Sequence, residues 1–443
     1  MWTENLLVVV IVTGAAFLIG LYQRQRGFSA LMTVFGLALS VATILSLADS
    51  VGYGSWGTPD LAGSDGQSYY DQARELAQVG LGDYQAVVLT NYAGYQLLLA
   101  ALFRIFGTSL LVGVVANDLL LLLSIACLYR ATFLLTESPR AALLACAALM
   151  LTTAHIFYAL MLLKEPAIDL AFGLMLLAIS KAACEKSIGL TAVAYFLLAI
   201  LTIITMRASL LLFLAILLVF TAGVLLKRRG HILAGFVGLL VLVAPFSQSF
   251  TRYELDTDFF TQIIVRNSVI STRFQDGDLD LTGIAGQTIG FYINLPFIFK
   301  IFLFPLPLVV QILLPFDFWS GRFLDEHIAS LFVRNLNPLW YLFVVIWIAY
   351  AVAHVRSIEN QIIRRLLLAG LFYFVVVAIV YGGLIPRYGA PALLFMFPAV
   401  GYWWARSREE PAVRQSTVTF FVHYYVFAVF AGLAFIAFQL SRG

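Results

Sequence analysis

The sequence predicts an all-α, polytopic membrane protein, and three observations carry that prediction. Of 443 residues, 62% are hydrophobic and only 12% are charged. The mean hydropathy is +0.94. Apolar runs of about 17 to 23 residues recur from one end to the other, each long enough to cross a hydrocarbon core of ~30 Å. A soluble core cannot absorb so many runs. The expectation is a single integral membrane domain over 1–443, with about twelve transmembrane helices plus interfacial and re-entrant helices.

The first run, 5–23, follows MWTENLL, which lacks the basic start of a signal peptide, while Arg24 and Arg26 come after it. It is expected to be an uncleaved helix with RQRG on the cytoplasmic side. Further spans are expected at 28–47, 109–129, 140–160, 166–182, 188–206, 208–226, 231–248, 338–354, 364–384, 389–406 and 417–439. Two stretches are ambiguous: 91–107 contains Arg104, and 290–314 carries Pro296, Pro305 and Pro307. If both lie on or re-enter the outer face, one set of short loops becomes cytoplasmic. That set holds Arg24, Arg26, Arg130, Arg140, Lys181, Lys186, Lys227, Arg228, Arg229, Arg356, Arg364, Arg365, Arg406, Arg408 and Arg414. These are fifteen of the 27 Lys and Arg, as the positive-inside rule requires. The long loops 48–108 and 249–337 then face outward, in the cytoplasmic (inner) membrane of a cell. Recognition or chemistry is expected where they meet the outer helix ends.

The first long loop contains SDGQSYYDQARELAQVG, residues 64–80. Ser64 and Gln67 suit a capping box, and Asp65 suits the positive end of a helix dipole. Tyr69, Ala73, Leu76 and Ala77 fall near one face, so an amphipathic helix at the outer interface is expected, with its tyrosine at headgroup depth. On spacing alone Asp65 is as well explained by capping as by chemistry.

Several function classes are disfavoured. A net charge of +3 is small and gives no sign of a nucleic-acid partner, since in a membrane protein the placement of charges matters more than their sum. There is no P-loop, zinc motif or dinucleotide fingerprint, and no inverted repeat with paired broken helices. Cys127, Cys146 and Cys184 lack metal-ligand spacing and read as apolar packing residues.

Candidate residues for an anionic site are cations at outer helix ends. Arg207, in TMRASL, is the only charge between two apolar segments, and either snorkels to the interface or serves a ligand. Lys164 and Glu165 precede Pro166, which suits the first turn of a helix. They are either a self-compensating pair or ligands for a phosphate and a hydroxyl or metal. Arg387 with Tyr388, and Arg266, Arg273 and Arg322 in the second long loop, are further cations. Asp118 and Asp169 lie inside spans and suggest buried polar partners, without an assignable role. His155 reads more readily as interfacial packing than as a ligand. The proline-broken FYINLPFIFKIFLFPLPLVVQILLPFDFW is either a re-entrant segment or a kinked helix.

The early outer loop with Asp65, then Tyr69, then an alanine-containing helix ending in glycine, resembles the GT-C superfamily of membrane glycosyltransferases. That superfamily includes protein mannosyltransferases and lipid A aminoarabinose transferases. NYAGYQLLLAALFRIFGTSLL is similar to their interfacial helix and "LFG" turn. SPRAALLACAALMLTTAHIFYALMLLKEPAIDL resembles their next helical hairpin, and IPRYGAPALLFMFPAVGYW resembles an Arg-Tyr-x-x-Pro start of a late helix. The resemblance covers about 50–180 and returns near 385–400. The chain departs from the family in having two helices before the Asp loop instead of one, and in lacking a paired Asp-Asp or Asp-x-Glu motif.

The resemblance implies a polyprenyl-phosphate- or diphosphate-linked sugar donor held in the bilayer. It also implies a glycan, lipid or protein acceptor outside, and it leaves open whether a divalent metal assists. Asp65, or else Asp60, becomes the base for the acceptor hydroxyl. Tyr69, Lys164, Glu165, Arg207, Arg266, Arg387 and Tyr388 become substrate-binding residues. Two other classes fit a polytopic chain with large outer loops: an O-antigen-type polymerase or ligase, and a flippase or transporter of lipid-linked sugars.

Overall fold

A computed structural model describes residues 6–52, 65–79, 93–184, 190–207, most of 210–221, 340–381 and 386–440, with isolated positions 295 and 299. Every regular element among them is helical. The expected spans 208–226 (in part) and 231–248, and most of the 249–337 loop with its 290–314 stretch, lie outside the described residues.

The helices are α1 (Leu6–Tyr22), α2 (Arg26–Gly52), α3 (Asp65–Val79), α4 (Gly94–Phe106), α5 (Leu110–Thr136), α6 (Pro139–Met150), α7 (Thr153–Leu160), α8 (Glu165–Cys184), α9 (Leu190–Arg207), α10 (Ile346–Ala353), α11 (Gln361–Tyr381), α12 (Pro386–Glu409) and α13 (Pro411–Leu440). Among the described residues, four are long and apolar enough to cross a membrane: α2 over Arg26–Ile44, α5, α8 and α9. α4, at thirteen residues, is too short to cross, in keeping with the non-spanning expectation for 91–107.

Local chemistry sets the boundaries. Ser109 caps α5 by accepting from Leu111 N, and Glu137 ends it in the left-handed conformation at φ 56°. Ser138 caps α6 through Ala141 N, with Pro139 at the first helical position, where its missing N–H costs nothing. The expected single span 140–160 is broken between Met150 and Thr153. Thr152 Oγ1 donates to Ala148 O at 2.8 Å, and His155 N turns back to Thr152 O. Such side-chain and turn bonds compete with the regular helical ladder.

The core lies between α5, α8, α6 and α12. Gly401 of α12 lies against the Ala141 carbonyl of α6, so the two backbones pack directly. Phe172, Phe213 and Phe395 fill the space between α8, the 210–221 segment and α12, with centroids 5.2 to 5.7 Å apart. α8 is the most enclosed span, 83% buried.

The bundle has two distinct ends. Arg140 reaches Glu409 at 3.5 Å, Asn360 donates to Leu135 O at 2.6 Å, and Gly27 lies against Leu143. One end therefore gathers the α1–α2, α5–α6, α10–α11 and α12–α13 turns with their arginines. The other gathers α3, α4, the α7–α8 turn and the end of α9.

Candidate functional site

Lys164 and Glu165 occupy the turn from α7 into α8. The chain reverses through Leu162, held at φ 51° in the left-handed region that non-glycine residues rarely adopt. Leu162 is buried against Gly113 of α5, where any Cβ would collide with it. Asn117, in mid-α5, donates from Nδ2 to Ala159 O at 3.3 Å and to Leu163 O at 2.9 Å. One amide thus satisfies carbonyls on both sides of the turn. Tyr95 of α4 donates to Asn117 Oδ1 at 2.9 Å and fixes the amide's orientation. Burial pushes the Tyr95 hydroxyl well above its usual pKa, which keeps it a donor.

Glu165 opens α8 with Pro166 behind it, at the helix end that favours a carboxylate. Arg207 closes α9 at the end that favours a cation. They meet with Arg207 Nη2 2.8 Å from Glu165 Oε1, and the residues are only 6% and 2% exposed. The second oxygen, Glu165 Oε2, finds no hydrogen-bond partner among the described residues. α4 is drawn to the same place, because Gly94 lies against Thr205, two residues before Arg207.

Lys164 is buried too, with Nζ 5.6 Å from the centre of the Tyr69 ring. That ring meets Tyr95 edge-on at 5.4 Å. Asp65 is the first residue of α3 and is exposed, one turn before Tyr69 on the helix face that carries Tyr69 and Ala73. Tyr69, Ala73 and Leu76 are buried as one stripe, as an amphipathic helix requires, and Ala77 is half-buried. Tyr69 is buried in protein and packs as an aromatic wall beneath Lys164.

Beside this centre lies a second buried pair. His155 Nδ1 is 2.6 Å from Asp169 Oδ2, and both side chains are 1% exposed. Asp169 follows Glu165 by one turn of α8. Further along α5, Asp118 accepts from Thr43 at 2.8 Å.

Five sequence-derived candidates, Asp65, Tyr69, Lys164, Glu165 and Arg207, are thus carried to one end of the bundle by α3, α8 and α9. Arg387 and Tyr388 fall in the first turn of α12, at the same end, where only their helical backbone is described. Arg266, Asp60, Ser64, Arg273 and Arg322 lie outside the described residues. Among the described residues no group of three His, Cys, Asp or Glu side chains is placed to hold a metal ion. Sequence reasoning overlooked Tyr95 and Asn117 and did not foresee the His155–Asp169 pair. The available signal was an Asn-Asp dipeptide inside an apolar run, which demands polar partners.

Chemically, the site gathers an arginine, a lysine and a glutamate in a largely dry setting, with an exposed carboxylate one turn from the aromatic wall. No family model, curated protein or solved structure matches the chain.

Proposed function

We propose that this protein is a membrane glycosyltransferase of the GT-C kind. In this reading it moves a sugar from a polyprenyl-phosphate or diphosphate carrier to an extracytoplasmic glycan, lipid or protein. The supporting observation is that Arg207, bonded to Glu165, and Lys164, over the Tyr69 ring, lie at the end of the bundle that also carries Asp65. The arginine-rich opposite end supports a cytoplasmic assignment for that side and an outward site, in a chain of about twelve crossings.

The acceptor hydroxyl oxygen attacks the anomeric carbon, and its proton passes to the Asp65 carboxylate. The bond from that carbon to the carrier's phosphate oxygen breaks, and the phosphate leaves with the electron pair. Lys164 and Arg207 stabilise the charge that develops on it. Glu165 holds Arg207 in place, and its second oxygen is available to a sugar hydroxyl. Tyr69 orients Lys164. Arg387 with Tyr388, and Arg266 from the second long loop, supply further contacts to the donor.

Purified protein supplied with polyprenyl-phosphate and polyprenyl-diphosphate sugars, with and without divalent metal, tests the reading. Transfer of single sugars is expected, and Asp65→Asn is expected to lower turnover by about 10²- to 10⁴-fold while retaining donor binding. Absence of transfer from every donor overturns the assignment, and undiminished turnover in the variant overturns the role of Asp65. A ladder of repeat units identifies a polymerase, and lipid movement without transfer identifies a flippase.

A further inference from the structure

The end of the bundle remote from Lys164 holds a groove of about 540 Å³, lined by His354 and by Ala412, Gln415, Ser416, Thr419, Phe420 and His423 of α13. The α13 residues recur at intervals of three and four and share one helix face. The same face continues through Val426, Phe427 and Phe430, all exposed. It is therefore mainly polar for its first turns and apolar beyond them. That order is the order of an amphiphile.

The groove walls are fixed. Tyr350 and Ser416 are joined by a hydrogen bond of 3.2 Å between α10 and α13, and the His354 ring stacks on Tyr350 at 4.1 Å. His354 Nδ1 lies 3.0 Å from Tyr350 O, and His423 Nδ1 lies 2.7 Å from Thr419 O. A carbonyl oxygen only accepts, so both Nδ1 atoms carry the proton. In the neutral rings, each Nε2 is then an acceptor. The helix ends around the groove hold Arg356, Arg364, Arg365, Arg406, Arg408 and Arg414 against Glu359, Glu409 and Glu410. The local excess of positive charge favours an anionic occupant.

We propose that this groove seats one anionic phospholipid with a hydroxyl-bearing headgroup. The phosphodiester accepts from the Ser416 and Thr419 hydroxyls and the Gln415 amide. The headgroup hydroxyls donate to the two Nε2 atoms, and an acyl chain lies along Val426, Phe427 and Phe430. The basic surround supplies the long-range attraction, and the imidazoles supply the preference among headgroups. This site is independent of the sugar-transfer reading, since it lies at the opposite end of the bundle and uses none of its residues.

The full chain in detergent micelles, doped with phosphatidylglycerol or with phosphatidylcholine of the same acyl chains, tests the proposal by native mass spectrometry. Phosphatidylglycerol is expected to be retained about tenfold better, the effect of one or two net hydrogen bonds. His354→Ala with His423→Ala is expected to lower phosphatidylglycerol retention several-fold, leaving only the preference that the surrounding charge supplies. Should that pair unfold, the bulkier His354→Leu with His423→Leu decides the matter. Phe427→Ser is expected to weaken both lipids. Equal retention of the two lipids by the unaltered chain overturns the proposal, as does a preference undiminished by loss of both imidazoles. So does equally tight binding of the chain-free headgroup glycerophosphoglycerol, which marks a site for a soluble anion.

Discussion

His155 and Asp169 face each other at 2.6 Å in a part of the bundle where neither side chain is more than 1% exposed. Removing one partner strands the other. His155→Leu is expected to destabilise the protein by about 3 kcal/mol, because an uncompensated carboxyl remains in a medium that cannot solvate it. Joining it with Asp169→Leu is expected to recover most of that loss, since an apolar pair of similar volume often replaces a buried ionic pair. Thermal unfolding in one detergent checks both. A double variant no more stable than the single one shows that the pair has further partners.

The Glu165–Arg207 contact separates stability from ligand binding. Arg207→Ala is expected to cost about 3–5 kcal/mol, as Glu165 is left charged and buried. Glu165→Leu with Arg207→Met is expected to refold to near the original stability and yet to lose affinity for a polyprenyl phosphate. Unfolding curves set beside lipid-binding isotherms measure the two effects. Undiminished affinity in the folded double variant removes Arg207 from the phosphate site.

Tyr69 tests whether the aromatic wall orients Lys164. Tyr69→Leu keeps most of the buried apolar contact and removes the ring beneath the ammonium. The expected result is a folded protein with roughly tenfold weaker phosphate-lipid binding, the scale of a desolvated cation–π contact. Tyr69→Ala is expected to lose about 3 kcal/mol of stability as well. Equilibrium binding and thermal unfolding, run on both variants, distinguish orientation from packing.

Gly94 lies where α4 touches the backbone of Thr205. A Cβ there would stand 2.7 Å from Thr205 O, so Gly94→Ala must push the helices apart. A loss of about 1–3 kcal/mol is expected, with weakened anion binding because Arg207 follows two residues later. Gly14→Ala, where nothing stands within 4 Å, is the control and is expected to leave both properties unchanged.

Helix positions were largely legible in the sequence, because hydrophobic runs report burial in lipid directly. The amphipathic α3 was legible too, as its stripe of Tyr69, Ala73 and Leu76 is a local pattern. Pairing was not. Lys164 and Glu165 are adjacent, which suggests mutual compensation, yet the structure joins Glu165 to Arg207, 42 residues away. The break in 140–160 was hidden because Thr152 interrupts the backbone ladder without lowering the hydropathy of the run. Tyr95 and Asn117 escaped notice for a similar reason. Their importance lies in which carbonyls they reach, and periodicity carries no record of that.

α3 and α4 are latched together at several points. Arg104 donates to Ala77 O at 3.1 Å, Gln96 to Gln72 at 3.4 Å, and Tyr70 reaches Thr108 O at 2.9 Å. The two helices therefore pack as one unit, braced by Gly94 against Thr205 and by Tyr95 on Asn117. Whatever shifts α4 is passed on to α3, so the position of the ring that faces Lys164 depends on contacts made a helix away.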